Sequence, residues 1–247
     1  MIQDLPIFWP ALAAGLLVTA THVPLGIRVL DRGIVFIDLA VAQIAGLGVI
    51  LGDWLGFEHH GVAVQLFALS AALAGALLLN LTERLWPEVQ EAIIGIAFVL
   101  AANAAILLLA ANPRGSEHLK DLLVGQILWV KASELPLLAA ASTAILALTL
   151  RWKARVGFYL LFACAVTLSV QLVGIYLVFA TLIVPALATQ RMTRRRTAAC
   201  YLLSGVSYAM GLALSAVTDL PAGPLVVCTI TVLGIAFFLT FKPRVPT

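Results

Sequence analysis

The sequence predicts an all-α, polytopic membrane protein with about eight to nine transmembrane helices, some of them short or broken. Three observations lead there. Of 247 residues, 62% are hydrophobic and only 11% charged, with a mean hydropathy of +1.08, whereas soluble domains carry roughly 25% charge. Apolar runs close to the ~20 residues that cross a hydrocarbon core recur along the chain. The Lys and Arg residues fall between those runs, as membrane topology requires, so the net charge of +3 carries no nucleic-acid signal.

Runs near residues 7–27, 34–52, 61–81, 92–111, 134–150, 197–218 and 222–241 each read as one span. The first follows MIQDLP, which lacks the basic start of a signal peptide, so it is expected to remain as a span. The second, IVFIDLAVAQIAGLGVILG, carries one formal charge, Asp38, and one other strongly polar side chain, Gln43. A carboxylate in that medium is costly and is tolerated mainly where it faces a bundle interior or a watery path. Two readings of Asp38 stay open: a place on such a path, or a structural partnership with a buried donor or with Arg32. Glu91 opens the run EAIIGI, where the helix dipole alone would favour an acid and a pathway role is the alternative.

LKDLLVGQILWVK, residues 119–131, is short with charged ends and reads as an interfacial or re-entrant piece. The apolar block 156–189 is too long for one span and slightly short for two. Arg151, Lys153 and Arg155 precede it and Arg191, Arg194, Arg195 and Arg196 follow it, so both its ends are cytoplasmic and it crosses an even number of times. A break near residues 171–174 would give two short or broken helices. Arg28 and Arg32 fall inside by the same rule, the loop GDWLGFEHH outside, and Lys242 and Arg244 inside. About nine crossings follow, with the N-terminus outside.

No internal repeat or long linker is visible, so residues 1–247 are expected to form a single integral-membrane domain. Cys164, Cys200 and Cys228 stand far apart in apolar stretches and suit packing better than a disulfide or zinc site. The chain has no GxxxxGK[ST] phosphate loop, so any ATP-driven role needs a partner. RMTRRR, residues 191–196, is either a topogenic loop held by lipid phosphates or a short cytoplasmic helix that docks into a soluble motor. Pro185 favours the second reading, because a proline there would end or kink the preceding helix. Glu58, His59 and His60 on one predicted outer loop, and Glu117 with His118 on another, have the chemistry to collect a cation, although short loop clusters are more often solvated punctuation. His22 reads as core or inner interface. Asp219, ahead of Pro221 and Gly223, reads as part of an outer turn.

VGIYLVFATLIVPALATQ (residues 173–190) is joined by RVLDRGIVFIDLAVAQIAGLGVILG (28–52), EAIIGIAFVL (91–100), DLLVGQILWV (121–130) and DLPAGPLVV (219–227). In order and spacing these resemble the core motifs of the membrane (permease) subunits of ABC importers for zinc, manganese and iron. The resemblance implies a non-enzymatic transport subunit in the bacterial plasma (inner) membrane, paired with a second copy of itself. It implies a cytoplasmic ATP-binding subunit and an extracytoplasmic metal-binding protein as partners. The divalent ion would be cargo, zinc ahead of manganese and iron, and no permanently bound cofactor is expected. The family's coupling segment falls on Pro185, Ala186, Thr189, Gln190 and Arg191. Family members carry Asp and, four residues later, His on the second helix, a spacing that puts both on one face. Asp38 is kept here, but the later position is Ala42, and Gln43 lies roughly 140° around from Asp38. Glu91 matches the family's glutamate, making Asp38 and Glu91 the translocation candidates. Loss of the histidine leaves the choice of metal, or of a metal chelate, open. An ion-coupled secondary transporter using the same two acids, and a membrane scaffold that only resembles a permease, are the rival readings.

Overall fold

The computed structural model describes residues 5–57, 61–109, 123–151 and 154–240. Among them there is no strand, and nine α-helices follow one another: α1 Leu5–Arg32, α2 Ile37–Trp54, α3 Val62–Leu85, α4 Gln90–Leu109, α5 Leu135–Arg151, α6 Arg155–Val173, α7 Ile175–Ala188, α8 Arg196–Thr218 and α9 Ala222–Thr240. Eight are long and apolar enough to cross a membrane, and α7, with 14 residues, is the short one. Exposed tryptophans (Trp9, Trp54, Trp86, Trp129) stand near helix ends or in a connection, where an amphipathic ring suits the lipid headgroup level.

The apolar block divides where expected. α6 ends at Val173 and α7 begins at Ile175, with Gly174 between them at φ 82, ψ 161, a conformation open in practice only to glycine. A Cβ there would strike the backbone of Val124 and Gly125, and Gly125 is itself at φ 67. The connection that holds Gly125 is therefore laid directly on the helix break. Among its described residues, 123–124 are helical and Ile127–Trp129 form a 3-10 turn, so the described part of the segment 119–131 does not span.

α1, α2 and α6 are buried over most of their length, whereas α3, α4 and α5 are largely exposed. α1 packs on α5, α6, α7 and α8, and α2 on α3, α4, α6 and α7. Glycines set the close approaches: Gly15 faces the ring of Tyr208 on α8, and Gly26 faces the backbone of Leu182 on α7. Without a hydrophobic drive between helices in lipid, such backbone proximity is a main source of association.

α1 also contains Pro24. A proline inside a helix removes the bond to the carbonyl four residues back, here Ala20. In hydrocarbon that oxygen needs another donor. Tyr201 on α8 supplies it, its hydroxyl donating to the Ala20 carbonyl at 3.0 Å.

Arginines among the described residues gather at one end of the bundle and tie the helices there. Arg28 donates to the Thr149 carbonyl in the last turn of α5 at 2.7 Å. Arg32 lies 4.2 Å over the Phe158 ring of α6, and Arg155 is 3.5 Å from Glu83 of α3. Arg196 pairs with Asp31, and Arg191 lies 3.8 Å over the Phe238 ring of α9. These contacts, with one from α4 to α2 described below, bring together the C-terminal ends of α1, α3, α5, α7 and α9 and the N-terminal ends of α2, α4, α6 and α8. An up-and-down bundle with every helix reaching the basic end results, the arrangement that about nine crossings require.

Gly26→Val is expected to lower stability by more than about 2 kcal/mol, because the new atoms meet backbone that has little room to move. Gly95→Ala, where nothing lies within 4 Å, should be neutral or slightly stabilising. Thermal unfolding of the two purified variants in detergent checks the contrast.

Candidate functional site

Two sets of polar residues lie at the basic end. The first is built on the junction of α1 and α2. After Arg32 the chain turns through Gly33 at φ 71 and a link of residues 33–36 that bonds back onto α1. In it the Gly33 N–H donates to Leu30 at 3.2 Å and the Ile34 N–H to Val29 at 3.3 Å. The residue at the N-cap of α2 is Phe36, whose side chain offers no acceptor for the free N–H groups of a first helical turn. Glu91, from the first turn of α4, stands in: its Oε1 accepts the Phe36 N–H at 3.2 Å.

Asp38 follows two residues later and is fully buried. Neither of its carboxylate oxygens, nor Glu91 Oε2, has a hydrogen-bond partner among the described residues. Leaving a carboxylate buried and unpaired is strongly unfavourable, so the group takes up either a proton or a cation. The structural alternative for Asp38 is therefore corrected: no buried donor meets it among the described residues, and Arg32 is turned to Phe158 instead. The structure does place Asp38 and Glu91 at the same helix end, joined through Phe36.

Ala42 is fully buried one turn on and offers no ligand, while Gln43 is buried on another side of the helix. Among the described residues no group of three or more His, Cys, Asp and Glu side chains is close enough to hold a metal ion. The described residues thus present two carboxylates rather than a closed coordination shell. His22 is core: Nδ1 donates to the Val18 carbonyl at 2.9 Å, and Nε2, buried, has no partner among the described residues. Glu58, His59, His60, Glu117 and His118 lie outside the described residues. Asp219 is exposed just past α8 in the left-handed region, φ 55, as a helix-ending turn residue.

The second set is the connection from α7 to α8. A separate short helix after Pro185 was one expectation, and the structure corrects it: α7 runs on to Ala188 and residues 189–195 form a turn without helix. Pro185 gives up the bond to the Thr181 carbonyl four residues back, yet the helix closes past it, the Thr189 N–H donating to the Pro185 carbonyl at 3.2 Å. Thr189 Oγ1 donates to the Pro185 carbonyl at 2.8 Å, with Cys200 Sγ 3.3 Å from the same oxygen and 3.0 Å from the hydroxyl. Arg196 Nη2 donates to the Ala186 carbonyl at 3.3 Å. Of the expected coupling residues, Pro185, Ala186 and Thr189 are buried, Arg191 is half-buried against Phe238, and Gln190 is exposed. Sequence reasoning missed Asp31, Cys200 and the buried Thr181–Tyr208 hydrogen bond of 2.9 Å between α7 and α8. No local pattern announces pairs so far apart in the chain.

Residues 4–156 and 153–241 match the ABC 3 transport family. A curated relative, "Probable metal transport system membrane protein" of Chlamydia muridarum (strain MoPn / Nigg), is 23% identical over 263 aligned residues, covering 95% of this chain and 88% of the relative. Among solved structures, PsaBC from Streptococcus pneumoniae in complex with Fab contains a similar chain with a TM-score of 0.74 and 20% identity, covering 96% of this chain and 92% of that one. A second, described as "an inward-facing conformation of a putative metal-chelate type ABC transporter", has a TM-score of 0.68 at 18% identity, covering 97% and 89%. At these identities the solved structures speak for the fold alone.

Asp38→Asn is expected to keep the melting temperature within about 2–4 °C, since the amide replaces a near-isosteric group that has no hydrogen bond or ion pair to lose among the described residues. A clear drop in the thermal transition of the purified variant would reveal a donor that the geometry does not contain.

Proposed function

Because the chain belongs to the ABC 3 transport family, we propose that it is the membrane-spanning permease subunit of an ATP-driven, binding-protein-dependent importer of divalent transition-metal ions, with residues 1–247 acting as one integral-membrane domain. The observation that carries this reading is the Asp38–Glu91 arrangement, in which three carboxylate oxygens at one helix end stand without protein partners among the described residues. Carboxylates left open in this way attract a divalent ion yet, with so few ligands, do not trap it. Passage rather than storage is the result.

The basic end would face the cytoplasm and receive a soluble ATP-binding subunit at residues 189–195. Movement of that turn would shift α7 and α8 against α1, on which both pack, and so alternate the bundle between outward and inward openings. A second copy of the chain would face the first and complete the coordination that one protomer leaves open. An extracytoplasmic binding protein would deliver cargo at the opposite end. The membrane would be a bacterial plasma membrane, and the ion would be cargo rather than a resident cofactor.

Zinc leads the candidates by resemblance, but two carboxylates without imidazole suit manganese and iron(II) as readily. The buried Ala42 also supports a second reading, a metal chelate as cargo, because a chelate brings its own ligands and needs fewer from the wall.

Uptake of labelled zinc, manganese and iron(II), each free and chelated, by the complex reconstituted in liposomes tests both readings. At least one form should enter only with ATP. Since even the outer partners of metal ligands are worth about 10–100-fold, Asp38→Asn and Glu91→Gln should each cut that uptake at least about tenfold. Uptake without nucleotide would point to an ion-coupled transporter and overturn the proposal, whereas entry of chelates alone would select the second reading.

A further inference from the structure

Arg196 stands where helix electrostatics disfavour a cation. It is the first residue of α8, at the positive end of the backbone dipole, and it follows Arg195 in the left-handed region at φ 61. Its guanidinium turns away from its own helix: Nη1 lies 3.1 Å from Asp31 Oδ1, and Nη2 donates to the Ala186 carbonyl at 3.3 Å. One side chain thus joins the last turn of α7, the start of α8 and the last turn of α1. Two residues after Asp31 begins the link of residues 33–36, which is bonded back onto α1 and on to Ile37, and within and beyond it lie the Phe36–Glu91 bond and Asp38.

We propose that Arg196 and Asp31 form a positioning pair that carries movement of the α7–α8 turn to the carboxylates at the start of α2. This rests on the transport reading above and adds to it two residues that the resemblance did not supply. Stability does not account for the pair, because Asp31 is 59% exposed and exposed ion pairs contribute little. Geometry accounts for it better. The planar fork of an arginine reaches a carboxylate and a carbonyl at once, which a lysine cannot do in the same way. The link beyond Asp31 is too short and too well bonded to absorb a displacement, so a shift of the turn arrives at Phe36 and Asp38.

The test uses the complex of this chain with its ATP-hydrolysing and cargo-binding partners in liposomes, with zinc and manganese as probes and both ATP turnover and uptake recorded. Asp31→Asn, Arg196→Gln and the double variant should assemble and hydrolyse ATP. Uptake per ATP should fall about tenfold, within the 5–150-fold range of coupling between sites. The double variant should be no lower than either single, because the same contact is lost once. An unchanged ratio in the single variants overturns the pair, as does a double variant that multiplies the two effects. If Arg196→Gln fails to fold, Arg196→Lys is read in the same way, and a full ratio in it overturns the bridging role. Failure of the unsubstituted complex to import either metal with ATP defeats the transport reading and the pair with it, whereas an unchanged ratio in the variants defeats the pair alone.

Discussion

A bilayer offers no water to a carbonyl or N–H that its own helix leaves unpaired, and that constraint organises this molecule. Several backbone groups that prolines and helix ends leave open are met by side chains, most of them from elsewhere in the fold. Pro24 frees the Ala20 carbonyl and Tyr201 fills it; the last turn of α5 is met by Arg28, the last turn of α7 by Thr189, Cys200 and Arg196, and the first turn of α2 by Glu91. The donors and acceptors that finish one helix are carried by another, so the helices hold one another in register. Small residues then let the backbones close up, as Gly15 and Gly26 do on α1.

Against that background the exceptions have meaning. A chain that finds partners for its helix ends leaves Asp38 buried with two bare oxygens, and Glu91 with one. Glu91 does two things with one carboxylate: Oε1 completes the helix start, and Oε2 stays available beside it. Two carboxylates with open, buried oxygens thus stand at one end of the bundle on fixed helix starts, the kind of scaffold that the proposed transient cation binding would need. The same end of the bundle holds the last turn of α7 and the exposed Gln190, so under the proposed function the groups that would meet cargo and those that would meet a motor are attached to adjoining helix ends.

Much of this was legible in the residues. Span positions follow from hydropathy, the parity of the 156–189 block from its flanking arginines, and its division from Gly174, because these are signals of composition and of one residue's conformational freedom. Asp38 announces itself by its cost in an apolar run. The rest was hidden for a physical reason. Arg196 and Asp31 are 165 residues apart, and Tyr201 and Ala20 are 181 apart, so no period or motif links them. Only Pro24 hinted at the second pair, by creating a need without naming who meets it. Of the two readings left open for the connection after Pro185 the one without a helix forms, because the backbone bonds on past the proline, through the Thr189 N–H to the Pro185 carbonyl, before it turns.

The brevity of α7 has its own consequence. At about 1.5 Å per residue a helix of this size covers roughly 21 Å, well short of the ~30 Å of hydrocarbon. The missing height is filled by the backbone around Gly125, seated on Gly174. α7 is thus a rod with the basic turn at one tip and the segment around Gly125 resting on the other. A tilt of that rod would carry both tips with it, so an event at the basic end would be mechanically audible at the other through one short helix.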